Sequence, residues 1–335
     1  MNIVEYVKQC GDKPLTAANL READTLVLTA LSYPTLLKYY SGFDKDITLG
    51  DAASQVLAVT LQFREKKFRD FLIALSGSKR FNQLKICGYR DEFEVKECAM
   101  QFSAVTVKIS DQLWFISYSG TDSTVAGWKE DFQFAYMEQT PAQLKALHYL
   151  EEAAGSFSGN FIISGHSKGG NLAAYAALFA DERIQERIGS VFCDDAPGFN
   201  EKIDIFSLKG YKKLKEKIHC ILPKYSTIGM LLETFPKSHF SVIRSEADTV
   251  LYQHDIFNWQ VNESGLFYRE KRLSTKTTRI MDYINKAISS MPYDKRQKLT
   301  DYIFRIFERQ DLNHISKSYL IRNLPVELIR YMRKR

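Results

Sequence analysis

Along the first 85 residues, apolar positions recur every three to four residues, the period of a helix with one buried face. The spacing predicts helices over residues 23–40, 52–61 and 68–75, with Pro34 kinking or breaking the first. From about residue 85 the period shortens to two. Residues 102–109 (FSAVTVKI) and 113–118 (LWFISY) are rich in β-branched and aromatic side chains, and Asp111-Gln112 between them predicts a hairpin. Helical spacing returns over 141–154.

Three short apolar runs follow, at 161–163, 190–193 and 218–222, with helix-forming stretches at 171–180 and 208–217 between them. A strand, a crossover helix and a second strand within about 30 residues is the βαβ unit of a parallel sheet. Beyond residue 270 the chain is polar and helical in period, with helices predicted over 278–289, 294–308 and 326–332. The expected fold class is therefore α/β: a mostly parallel sheet with helices on both faces. It divides into an N-terminal helical segment packed on the core (1–85), the α/β core (86–270) and a C-terminal helical segment (271–335).

Composition narrows the functional classes. The 335 residues are 45% hydrophobic and 26% charged, the balance of an ordinary globular chain. A net charge of +6, scattered along the sequence, does not argue for nucleic acid. The basic end, residues 330–335, reads as a solvated chain end. The five cysteines have no C-x-x-C spacing, so reduced thiols in a cytoplasm are expected, with no metal or other cofactor. No secretory leader is visible and no apolar run reaches the roughly 18 residues of a membrane span. The basic, aromatic-bearing C-terminal helices offer at most a weak surface for anionic lipid. Oligomeric state is not legible.

The chemistry concentrates at Gly165-His166-Ser167-Lys168-Gly169-Gly170, a G-x-S-x-G pattern between an apolar run and an alanine-rich helix. A strand turning abruptly into a helix holds a serine in a strained conformation with its hydroxyl outward, and only small residues two places either side leave room. Ser167 is the expected nucleophile; the plainer alternative is a serine that merely caps the helix. A serine needs a base, and in this chain order the acid and then the histidine lie downstream. That order removes His148 and His166. His219 falls in a predicted strand, His314 in the C-terminal helices, and His239 is the reserve. His254, after the apolar run 250–252 at the loop expected behind a late strand, is favoured as the base. Asp195, just past the strand 190–193, is the first choice of acid and Asp194 the alternative. An oxyanion hole requires two amides. Lys168 supplies one. Thr121, in Ser119-Gly120-Thr121-Asp122, could supply the other together with its hydroxyl; the alternative is a simple turn with Gly120 at positive φ. Residues 128–132 (WKEDF) read as a helix start with structural aromatic packing.

With these residues assembled, the chain resembles the Mbeg-like family of bacterial α/β-hydrolase proteins, which is similar to the class 3 (fungal-type) lipases. The resemblance rests on residues 101–105, Gly120-Thr121-Asp122, Gly127 to Phe132 and Gly165 to Asn171. It extends through Asp195 with Pro197-Gly198-Phe199, Ser226 with Gly229 to Leu232, and Gln253-His254-Asp255. Weaker similarity at Gly11-Asp12 and residues 24–33 carries it to the N-terminus. It implies an α/β-hydrolase fold and acyl-ester chemistry on a small-molecule or lipid substrate, without a defined biological role. Two positions depart from the lipase pattern. Ser119 stands where an arginine usually precedes the glycine, and Ser226 stands where class 3 lipases carry the acid. A complete triad must then draw its acid from Asp195; otherwise the fold is a non-catalytic scaffold for a partner or ligand. Peptidase and thioesterase variants use the same parts.

Overall fold

The computed structural model describes residues 1–33, 46–59, 66–94, 99–122, 124–247 and 249–309. The end of the first predicted helix, residues 34–40, the predicted helix at 326–332, Cys98 and His314 lie outside them.

Among the described residues, positions 1–80 carry four α-helices, α1 (Ile3–Gln9), α2 (Glu22–Ala30), α3 (Leu49–Val59) and α4 (Lys66–Gly77), with a two-residue strand between the second and third. Asn2 caps α1, its side chain accepting from Val4 N and Glu5 N while Glu5 reaches back to the cap amide. Eight strands then form one sheet whose spatial order is the chain order. These are β1 (Ile47–Thr48), β2 (Lys85–Glu94), β3 (Met100–Ser110), β4 (Leu113–Tyr118), β5 (Asn160–His166), β6 (Ile188–Asp194), β7 (Ile218–Pro223) and β8 (Phe240–Ile243). The first four pair antiparallel, with β3 and β4 the expected hairpin; β4 to β8 pair parallel. The sequence pattern does not mark β1, β2, β8 or α1, and β1, β8 and α1 are too short to show a period.

Helices α5 (Val125–Gln133) and α6 (Pro141–Ser156) lie between β4 and β5, α7 (Lys168–Phe179) and α8 (Glu182–Glu186) between β5 and β6, and α9 (Lys209–Leu214) between β6 and β7. After β8 come α10 (Val250–Gln253), α11 (Thr275–Ser289) and α12 (Tyr293–Arg309). The run 250–252 is thus a short helix, not the late strand expected before His254; that strand is β8, ten residues earlier. Four residues of apolar sequence cannot distinguish the two by period.

A sheet whose parallel strands follow chain order, joined by right-handed crossovers, places every crossover helix on one face. Helices α6, α7 and α9 accordingly share one core with Trp114, Ile116, Phe161, Ile163 and Val191. The other face needs a different cover. Side chains on a strand alternate between faces, and Val105, Val107, Phe115 and Ile162 join a second core built from α1 to α4 and residues 256–267. Phe115 is fully buried there; truncating such a side chain to alanine costs about 3–5 kcal/mol. Helices do cover both faces, as expected, but the second layer is the N-terminal segment rather than crossovers. Helix α12 packs outside α5, Phe304 meeting Phe132 edge-on at 5.2 Å.

Among the described residues Cys10, Cys87, Cys193 and Cys220 are free thiols. No described helix is long and apolar enough to cross a membrane.

Candidate active site

Ser167 stands at the turn from β5 into α7 with φ 59° and ψ −128°. Among the described residues only Ser167, Asp195 and Leu232 combine a side chain with positive φ. Such conformations cost on the order of 1–3 kcal/mol and persist where packing over-determines them. The packing here is backbone on backbone. A Cβ on Gly165 would lie 2.1 Å from Gly169 O, one on Gly169 2.1 Å from Tyr118 O, and one on Gly170 2.5 Å from Ala196 Cβ. The glycines are required by close approach, and Ser167 N is held by Asp194 O at 2.9 Å. Ser167 occupies the cap position of α7, yet its side chain makes no capping hydrogen bond. The plainer alternative of a capping serine is not realised.

Asp195 begins the turn after β6 at φ 44° and is fully buried. Its Oδ2 accepts from His254 Nδ1 at 2.7 Å. Its Oδ1 accepts from Gly229 N at 3.1 Å and from the Ser226 hydroxyl. Because a carboxylate can only accept, His254 Nδ1 carries a proton and is the donor of this bond. Ser226, expected to be unable to act as an acid, donates to Asp195 from just past the end of the neighbouring strand β7. The His254 ring lies 4.4 Å from the ring of His166, the residue before Ser167.

Asp194 and Asp195 are neighbours with opposite surroundings. Asp194 is the register partner of His166, so its side chain falls on the N-terminal-layer face. Burial pushes its carboxyl up to about 8, a hydrogen bond with Thr29 opposes the rise, and the Asp195 charge adds to it. It lies beneath the elbow, where burial disfavours its charged form. Of the two, Asp195 is the one that meets His254.

Of the remaining histidines, His148 is exposed on α6. His219 is only half-buried, stacked on Phe192 at 5.0 Å, and burial lowers its pKa. His239 is engaged by Tyr211 Oη and Ile218 O, each at 3.2 Å.

The loop 119–122 closes over the elbow. Gly120 is not at positive φ; its requirement is space, since a Cβ would lie 2.8 Å from His166 O and 3.4 Å from Ser167 Cβ. Thr121 Oγ1 donates to both oxygens of Asp131, at 2.8 and 2.7 Å. A hydroxyl has one proton, so this corrects the expectation of a second donor there: only the Thr121 amide remains. Helix α5 holds the other side as well. Lys168 Nζ, fully buried, donates to Glu130 Oε2 at 2.9 Å and to Gln101 O and Oε1 at 2.6 Å each. Gln101 Oε1 also accepts from Asp122 N, and Glu130 Oε1 accepts from Ala142 N at 3.0 Å. Residues 128–132 are therefore more than a helix with aromatic packing. Adjacent acids on α5 tie down the residue after the nucleophile and the loop opposite it. Sequence reasoning overlooked Glu130 and Asp131 because nothing local distinguishes them from solvated helix charges. The available signal was a lysine inside the elbow motif, where a buried ammonium demands a carboxylate partner.

Among the described residues no group of three or more His, Cys, Asp or Glu is arranged to hold a metal ion.

The sequence model of a family described as Mbeg1-like matches residues 75–305, more than half of the chain. No curated protein matches it. Among solved structures, M37 lipase is 14% identical with a TM-score of 0.40, over 63% of this chain and 70% of that one. A Rhizomucor miehei lipase propeptide complex is 14% identical with a TM-score of 0.38, over 65% and 66%. A mutant form of MDLA from Penicillium cyclopium is 10% identical with a TM-score of 0.40, over 80% and 95%.

Proposed function

The chain belongs to the Mbeg1-like family, and on that footing we propose that it is a serine hydrolase cleaving an acyl ester of a small molecule or lipid through Ser167, His254 and Asp195. Ser167 Oγ attacks the ester carbonyl while His254 Nε2 takes its proton. The imidazolium then returns that proton to the departing alkoxide, leaving an acyl-enzyme. Water, deprotonated by the same nitrogen, releases the acid. Asp195 holds the imidazole in the Nδ1–H tautomer and stabilises its charged form. The amides of Lys168 and Thr121 face the developing oxyanion, aided by the N-terminus of α7. The four free thiols suit a reducing, cytoplasmic setting.

The observation that carries this reading is the 2.7 Å bond from His254 Nδ1 to a buried Asp195, together with a serine held at positive φ whose hydroxyl is not used as a cap. A scaffold has no need of either. A fluorophosphonate probe tests it: wild-type protein is expected to label, and Ser167→Ala to lose all labelling. Folded wild type that does not label, and turns over neither short- nor long-chain esters, would instead support the ligand-binding scaffold.

A further inference from the structure

The base is anchored twice, and the second anchor is the histidine inside the elbow motif itself. His166 closes β5 and is buried. Its Nε2 lies 2.8 Å from the backbone carbonyl of His254. A carbonyl only accepts, so Nε2 carries the proton. A neutral imidazole then presents a lone pair on Nδ1, and the Tyr33 hydroxyl meets that atom in a hydrogen bond. The order is Tyr33 Oη–H to His166 Nδ1, then His166 Nε2–H to His254 O. The preceding carbonyl, Gln253 O, accepts from Trp259 Nε1 at 2.9 Å, and Trp259 meets the His166 ring edge-on at 6.0 Å. The peptide groups on both sides of the His254 Cα are thus held by ring N–H donors.

We propose that His166 is a positioning residue for the base, locked in its Nε2–H tautomer by Tyr33 and holding the His254 backbone while Asp195 holds its ring. This rests on the hydrolase reading above. Asp195 fixes one ring nitrogen, and the His166 donor adds a fixed point at the carbonyl of the same residue. Misplacement of a catalytic group by about 1 Å costs on the order of 10²-fold in rate. Tyr33 lies before residue 75, outside the stretch that matches the family model. The N-terminal segment therefore reaches the catalytic centre and contributes to it.

Two substitutions separate the donor from the ring. His166→Gln keeps an N–H near the place of Nε2 without the imidazole, and His166→Phe keeps a ring against His254 without a donor. The expected result is that His166→Gln retains kcat within about fivefold of wild type. His166→Phe is expected to lose kcat by about 10- to 100-fold with KM unchanged. Tyr33→Phe, which frees the tautomer but removes no donor to His254, falls by a few-fold. Wild-type kcat in a folded His166→Phe protein overturns the proposal. A second measurement needs no turnover: ¹⁵N NMR of the histidine rings should find His166 protonated at Nε2 alone at neutral pH. In Tyr33→Phe it should find a mixture of tautomers. His166 protonated at Nδ1 in the wild type overturns the proposal even if no ester is ever hydrolysed. The expected tautomer in a protein that fails to label with fluorophosphonate would remove the hydrolase reading and leave the anchor standing.

Discussion

The two faces of the sheet are covered by different kinds of layer. On the crossover face, α6 and α7 meet the strands through alanines, leucines and aromatic rings, with isolated buried hydrogen bonds such as that of Thr106 Oγ1 with Tyr149 Oη at 2.8 Å. On the opposite face the N-terminal layer is just as apolar towards the amino ends of β4 and β5 but turns polar towards the end that carries Ser167. Ser117 and Ser164, register partners on adjacent strands, meet α2 there. Ser117 donates to Thr29 O at 3.0 Å, and Ser164 shares a hydrogen bond with the Thr29 hydroxyl. His166 and Asp194 continue the same row. A row of hydroxyls, an imidazole and a buried carboxyl directly beneath an elbow differs from ordinary core packing. Buried polar groups are costly unless paired, and here α2 and Tyr33 supply partners. Both layers hold the elbow: the crossover side fixes Lys168 and the 119–122 loop through Glu130 and Asp131, and the N-terminal layer fixes His166 through Tyr33.

That contrast is sharpest at the two adjacent aspartates. Asp195→Asn removes the acceptor that sets the His254 tautomer and is expected to lower kcat by about 10³- to 10⁴-fold. Asp194→Asn, replacing a carboxyl whose charged form burial disfavours, should stay within about tenfold. Ester turnover of the two folded variants checks it, and the reverse ranking would exchange the acid.

A smaller effect, on stability rather than rate, is expected at the buried pair on α5. Glu130→Ala leaves the Lys168 ammonium without its carboxylate and should destabilise by about 3–5 kcal/mol in denaturant unfolding. The double variant Lys168→Met with Glu130→Leu should recover most of that loss, because it leaves no orphaned charge. Failure to recover would show that contacts to Gln101 and Ala142, rather than the charge, dominate.

The smallest effect is a pH slope. Folded Asp194 keeps its proton up to about pH 8, whereas an unfolded carboxyl releases it near the ordinary value of 3.8. Between those values the folded state binds more protons than the unfolded one. Asp194 therefore favours folding fully at low pH and loses that contribution as pH rises through its folded pKa. Thermal unfolding of wild type against Asp194→Asn across pH 4 to pH 9 should find the variant gaining relative stability as pH rises. A constant difference would mean that Asp194 titrates normally and that the polar row holds a charge.

Legibility followed the range of the interactions. The G-x-S-x-G pattern is local: glycine spacing, an apolar run before it and alanines after it state the strand–turn–helix outright, and the elbow lies where that reading put it. Alternation marks β3 and β4, and short apolar runs mark β5 to β7 with helical stretches between them; α8 has no such mark. Strand β8 and helix α10 were exchanged because short apolar segments carry no period. The pairing of Asp195 with His254 joins residues 59 apart in sequence. Chain order restricted the candidates, but only folding decided which aspartate turns towards the base and which turns beneath the elbow.

What the sequence determined by itself is the set of elements whose cause is local: sterically required glycines, alternating strands, helical periods and the order in which nucleophile, acid and base can occur. What only the tertiary structure decided is which polar groups face one another. It brought Ser226 and His254 to Asp195, Glu130 to Lys168, Asp131 to a hydroxyl expected to be free, and Tyr33 to His166. The physical reason is that a hydrogen-bond donor or a charge has no periodic signature of its own. Its partner is set by strand register and by which layer covers which face, and both exist only once the chain has folded.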